Sequence, residues 1–143
     1  MLSIFFPKKK KKKRRTSPQV SSQEGFLYKR YRSEAESILK KRTKEIAEIY
    51  TFDYNRVVIK DTKTRWGSCS SKRNINLHYK LMFLDDFHRD YVIIHELCHL
   101  KQMNHSRLFW DEVAAIFPEY KKAAVYMRKL QPQSVLPQTG IKN

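Results

Sequence analysis

His95-Glu96-Leu97-Cys98-His99 lies inside the strongest helical segment of the chain, a run from about Phe87 to Gln102 that Asp85 or Asp86 can cap. Four residues advance a helix by slightly more than one turn, so His95 and His99 project from one face. At that spacing two imidazoles can share one metal ion. Glu96 is rotated by about 100° from His95, beside such an ion rather than on it. A base must sit there to take a proton from a zinc-held water. The spacing therefore predicts two ligands, His95 and His99, and one acid/base residue, Glu96. With five His and eight Glu in 143 residues, a chance match has a probability of about 1%, which outweighs the reading of two ordinary helix histidines.

A catalytic zinc needs a third protein ligand and an open fourth position. His105 lies six residues after His99 and just ahead of Ser106, which can cap a helix from Arg107 to about Phe117. A turn through Met103-Asn104 could bring it back, with Asn104 tolerating a left-handed conformation. Glu119, twenty residues after His99, and Glu112 compete for the same role. His78 and His88 read as ordinary polar residues, and Cys98, about 100° from His99 on the helix, as a buried small side chain.

Working outward toward the N-terminus, the period changes from helical to alternating. Arg56 to Lys60 is short and β-branched, and Thr62 to Ser68 and Asn74 to Lys80 are two further strands joined by the polar Ser70-Ser71-Lys72-Arg73 turn. Before them, Ser33 and Glu36 make a capping-box pattern opening a helix through Tyr50, with Ala35, Ile38, Leu39, Ile46 and Ile49 as its apolar stripe. Arg42 falls on that apolar side without an explanation in the pattern. After the central helix, Pro118 suits the first turn of a last helix reaching about Leu130. Residues 131–143 read as a frayed tail. The fold class is α+β: an N-terminal helix, a small sheet of about three strands, the motif-bearing helix and two C-terminal helices.

Charge is uneven. The chain is 17.2 kDa with 30 Lys and Arg against 14 Asp and Glu, a formal charge of +16. Residues 1–25 read as a flexible polybasic arm and 26–130 as the folded domain. Lys8, Lys9, Lys10, Lys11, Lys12, Lys13, Arg14 and Arg15 form an unbroken run. Closely spaced cations displace counterions from a polyanion, so a nucleic acid is the partner to weigh against a merely solvated tail. No apolar stretch is long enough to span a bilayer. Two cysteines, Cys69 and Cys98, make neither a disulfide framework nor a four-cysteine zinc site, and the N-terminus lacks the pattern of a secretory signal. The expected setting is the cytoplasm, with no membrane partner.

Several separate segments, in order, resemble the YgjP-like metallopeptidase domain family. They are Thr64-Arg65-Trp66-Gly67-Ser68-Cys69-Ser70-Ser71-Lys72, Asn74-Ile75-Asn76-Leu77, His95 to Leu100, Asn104-His105-Ser106 and Phe109-Trp110. The resemblance covers about residues 30–130. It implies a minimal zincin-like domain in which His95, His99 and His105 hold one zinc ion per chain and Glu96 is the catalytic acid/base. Metzincins share the ligand spacing, but place a Gly where this chain has Gln102, and no Met-turn is evident here. Zincins commonly hold an extended substrate against a strand beside the active-site helix. On that basis Trp66 could wall the cleft and Arg65 could stabilise an oxyanion or phosphate. The structural alternative puts Trp66 in the core, Gly67 at a bulge and Arg65 against a carboxylate.

Three functions follow. The leading one is hydrolysis of peptide bonds in a peptide or protein substrate, by a zinc-activated water with Glu96 as general acid/base. The second keeps the metal but hydrolyses a nucleotide phosphoanhydride. The third is a nucleic-acid-binding module with a structural metal, which needs a closed coordination shell that three histidines alone do not provide.

Overall fold

The computed structural model describes residues 2–3 and 18–137. The elements are β1 (Leu2–Ser3), α1 (Pro18–Tyr50), β2 (Arg56–Lys60), β3 (Gly67–Cys69), β4 (Asn74–His78), α2 (Asp86–Cys98), α3 (Arg107–Ile116) and α4 (Tyr120–Lys129), with short 3-10 turns at Tyr79–Phe83 and Pro132–Ser134. The α+β class and the order of elements are those expected. Three strands make the sheet proper: β3 runs antiparallel to β4, and β2 runs parallel to β4 on its other side. The short β1 adds antiparallel to the outer edge of β3. The Lys8-to-Arg15 run lies outside the described residues.

Alternation decides which face of the sheet is buried. Val57, Ile59, Ile75, Leu77 and Cys69 share one face through the strand register and belong to the core. The core is completed by α2, in which every residue from Tyr91 to Cys98 is buried. This helix touches β3, β4, α1, α3 and α4, which together bury its second half. Asp85 caps it, accepting a hydrogen bond from the His88 backbone N–H at 2.9 Å.

Four local expectations are corrected. The first helix begins at Pro18, not at Ser33, because Leu27, Tyr28 and Tyr31 also pack on the core. Tyr28 meets Tyr79 and Tyr31 meets Phe83 edge-on, at 5.4 and 5.0 Å. Residues 18–25 are thus helical rather than part of a flexible arm. Ile49, placed on the apolar stripe, is exposed. The stretch 62–66 is not strand, since Thr62 Oγ1 donates to the Arg65 carbonyl at 2.8 Å and holds a turn there. Finally, residues 131–135 are pinned rather than frayed: buried Lys80 donates to the Pro132 carbonyl at 2.9 Å.

Arg42 now has its reason. Its guanidinium grips Asp90 of α2 with two bonds of 2.9 and 2.7 Å and reaches Glu45 at 3.0 Å, which ties α1 to the central helix. Helix α1 stops where Thr51 takes a φ of 60° and the Phe52 N–H turns back to the Ala47 carbonyl at 2.9 Å.

Candidate metal centre

Helix α2 ends sooner than the sequence pattern suggests, and that early end builds the site. After Cys98 the chain tightens: the Leu100 N–H reaches the Leu97 carbonyl and the Lys101 N–H reaches that of Cys98. His99 occupies the C-cap position, and the Gln102 carbonyl turns in to accept from His99 Nδ1 at 3.0 Å. That bond puts the proton on Nδ1 and leaves the Nε2 lone pair free to bind a metal. The return of His105 needs no left-handed residue. Asn104 acts through its side chain instead, its Oδ1 accepting from the Ser106 N–H at 3.2 Å.

The result is convergent. His105 Nε2 stands 3.2 Å from both His95 Nε2 and His99 Nε2. Two nitrogens at zinc–nitrogen distance on a tetrahedral ion are about 3.3 Å apart, close to both of these separations, and the three ligand atoms all lie within 4.8 Å of one another. Burial, with the neighbouring imidazoles, pushes the His95 pKa well below the ordinary range. Burial likewise lowers His99 to about 4 and lowers His105. Neutral imidazole is the ligand form. Neither competitor joins them: Glu112 lies 3.7 Å from Lys101 and Glu119 lies 3.6 Å from Lys122.

The rings are held by aromatic packing that the spacing did not announce. Phe109 of α3 stacks on His99 with centroids 4.3 Å apart, and Trp110 lies parallel to His105 at 6.0 Å and is backed by Tyr120 at 5.3 Å. Tyr91, one turn before His95, places its hydroxyl 3.4 Å from His95 Nδ1. Tyr91 and Phe109 sit at helical spacing from the ligands, which in sequence looks like ordinary core.

Glu96 is fully buried on the neighbouring face of α2, under β3. A Cβ built at Gly67 would lie 3.0 Å from Glu96 Cγ and 3.1 Å from its Oε1. Glycine is thus what lets the strand backbone close over this carboxylate. Trp66 is corrected: it is fully buried and its indole N–H donates to the Leu130 carbonyl at 2.9 Å, so it is core and cannot wall a cleft. Arg65 is half-buried and pairs with no carboxylate among the described residues; it lines a cavity of about 110 Å³ with Lys60, Thr62, Ser68, Asn76 and His78. Cys98 and Cys69 are buried thiols whose pKa values burial raises to about 12 and 11. His78 is a core residue bonded to the Thr62 carbonyl, and His88 sits against Asp85 and Tyr126.

A histidine triad that could hold a metal ion, beside a buried glutamate on a helix packed beneath a small mixed sheet, fits a metallopeptidase domain. The match to known proteins agrees. The family model of the YgjP-like metallopeptidase domain covers residues 5–130, and the chain belongs to that family. Among solved structures it is similar to the metallopeptidase zymogen abylysin of Pyrococcus abyssi, at 28% identity and a TM-score of 0.57. It is also similar to the zymogen jannalysin of Methanocaldococcus jannaschii, at 26% identity and a TM-score of 0.56. Each comparison covers 64% of this chain and 94% of the other. No curated protein matches the sequence significantly. Among the described residues no helix is long and apolar enough to cross a membrane.

Proposed function

We propose that this chain is a zinc peptidase in which His95, His99 and His105 hold the metal and Glu96 handles the protons. The observation that carries the reading is the convergence of three neutral imidazoles, with His105 Nε2 3.2 Å from each of the other two Nε2 atoms, close to the edge length of a zinc tetrahedron. When bound, the zinc supplies a Lewis acid for the scissile carbonyl and makes a water more acidic. Glu96 takes the proton of the attacking water and later gives it to the departing amine. Tyr91, the Gln102 carbonyl and Phe109 hold the imidazoles in register, so little reorganisation is needed when the ion arrives. A peptide is the substrate, and the Lys8-to-Arg15 arm adds affinity for a polyanion through its charge alone.

Glu96→Gln tests the assignment. The variant should keep about one zinc per chain and lose peptide cleavage by about 10²- to 10⁴-fold. Both intact protein and protein after limited proteolysis are assayed, with fluorogenic peptides and nucleoside triphosphates side by side. A zinc-loaded Gln variant that still cleaves peptide would sink the role of Glu96. Turnover of triphosphate without peptide would replace the substrate class.

A further inference from the structure

Arg56, Val58 and Lys60 leave β2 on the face of the sheet turned away from α2. This follows from register, because Gly67, which abuts Glu96, and its partner Leu77 point the other way. Ser68 and Asn76, paired across β3 and β4, share that outer face, with Asn76 Nδ2 donating to Ser68 Oγ at 3.0 Å. Where the outer face meets α1 there are two adjoining grooves, of about 350 and 240 Å³. Lys40, Lys41, Lys44 and Arg56 line the first; the second shares Lys40 and Arg56 and adds Arg32. Beyond them Lys60 and Arg65 continue the strip into the 110 Å³ cavity.

The charges here are poorly neutralised. Glu36 is the one carboxylate lining the grooves among the described residues, and it is taken by Lys40 at 2.5 Å. Lys44 has Glu48 at 4.0 Å. Lys41, Arg56, Lys60 and Arg65 form no ion pair among the described residues. Unpaired cations in a row along a groove leave a strong local field for an anionic chain.

We propose that this strip is a docking surface for double-stranded nucleic acid, gripped by its phosphates without reading sequence. A duplex presents closely spaced charges on a narrow backbone that can enter a groove. Tyr54 is the one aromatic lining the grooves among the described residues and is half-buried, so there is no platform of exposed rings for single-stranded bases. None of the groove residues belongs to the histidine cluster, so the surface and the peptidase reading stand or fall separately.

The test uses the full chain, arm included, with a labelled 25-base-pair duplex, the matching single strand and phosphatidylserine vesicles as probes. The groove pair Lys41→Gln/Arg56→Gln is compared with a charge-matched pair on α4, Lys121→Gln/Lys129→Gln; all four positions are exposed, and melting temperatures confirm folding. The groove pair should weaken duplex binding about tenfold and flatten the plot of log affinity against log salt by about two units, roughly 0.9 for each phosphate no longer neutralised. The α4 pair should change either quantity much less. Equal losses in both pairs would overturn the proposal by showing an effect of net charge. No loss in the groove pair would overturn it by leaving binding to the arm. A loss confined to vesicles or to the single strand would overturn it in favour of that partner.

Discussion

Replacing Gly67 by alanine adds one methyl group at the most crowded point near the site. The new Cβ would lie 3.0 Å from Glu96 Cγ, 3.1 Å from Glu96 Oε1 and 3.1 Å from the Asn76 carbonyl oxygen. Ordinary carbon contacts begin at about 3.5 Å, so each neighbour must give by several tenths of an ångström. The Asn76 oxygen is backbone within β4 and is held by the strand ladder. Relief therefore falls mainly on the Glu96 side chain. Overpacking of this kind costs about 1–3 kcal/mol, or roughly 3–10 °C in melting temperature for a chain of this size. A misplaced base loses up to about 10²-fold in rate. Gly67→Ala should thus bind zinc normally, melt lower, and cleave peptide about 10- to 100-fold more slowly, mostly in kcat. Gly25→Ala is the control: nothing lies within 4 Å of its added Cβ, and a glycine inside a helix costs up to about 1 kcal/mol relative to alanine. That variant should be neutral or more stable. A Gly67→Ala protein with wild-type kcat and melting temperature would refute the claim that the close approach positions Glu96.

Arg42→Ala strands Asp90, whose side chain is 14% exposed; with the Arg42 side chain about one-third exposed, the loss should be about 1–3 kcal/mol in urea unfolding. Lys40→Ala, which breaks the exposed pair with Glu36, should cost no more than about 0.5 kcal/mol. Burial lowers His78 from 6.5 to about 4, so its contribution is intact above pH 6.5 and is lost as pH falls toward 4. The loss amounts to about 3 kcal/mol, and urea midpoints of His78→Gln should fall less than wild type across that window. Thr51 is a β-branched residue at a φ of 60°; Thr51→Gly should raise stability by about 1 kcal/mol, read as a higher melting temperature.

The histidine triad was legible because its information is local. His95, Glu96 and His99 depend on helical spacing alone, and His105 follows within one turn of chain. The strand from Arg56 to Lys60 and the hairpin around Arg73 were equally local, resting on alternation and turn residues. What sequence reading missed depends on partners far along the chain. Pro18-to-Arg32 looks polar until Tyr28 and Tyr31 find Tyr79 and Phe83. Arg42 looks misplaced until Asp90 arrives from forty-eight residues away. Trp66 could be read as core or as a wall of the cleft, and only the Leu130 carbonyl shows where its N–H goes. The end of α2 at Cys98 was unreadable for another reason: Leu100 and Lys101 are good helix formers, and the tightening that ends the helix serves the Gln102 bond to His99.

The bonds from Trp66 to Leu130 and from Lys80 to Pro132 span 64 and 52 residues. They set the order in which the molecule can be finished. The turn that leads into Gly67, and with it the roof over Glu96, is fastened by residues near the end of the described chain. A nascent chain still lacking residues 130–132 can form α1, the sheet and α2 while the Trp66 N–H and the Lys80 ammonium have no carbonyl to meet. Long-range closures of this kind come late and slow folding. The turn leading into the strand that covers Glu96 is therefore made well before the residues that fasten it.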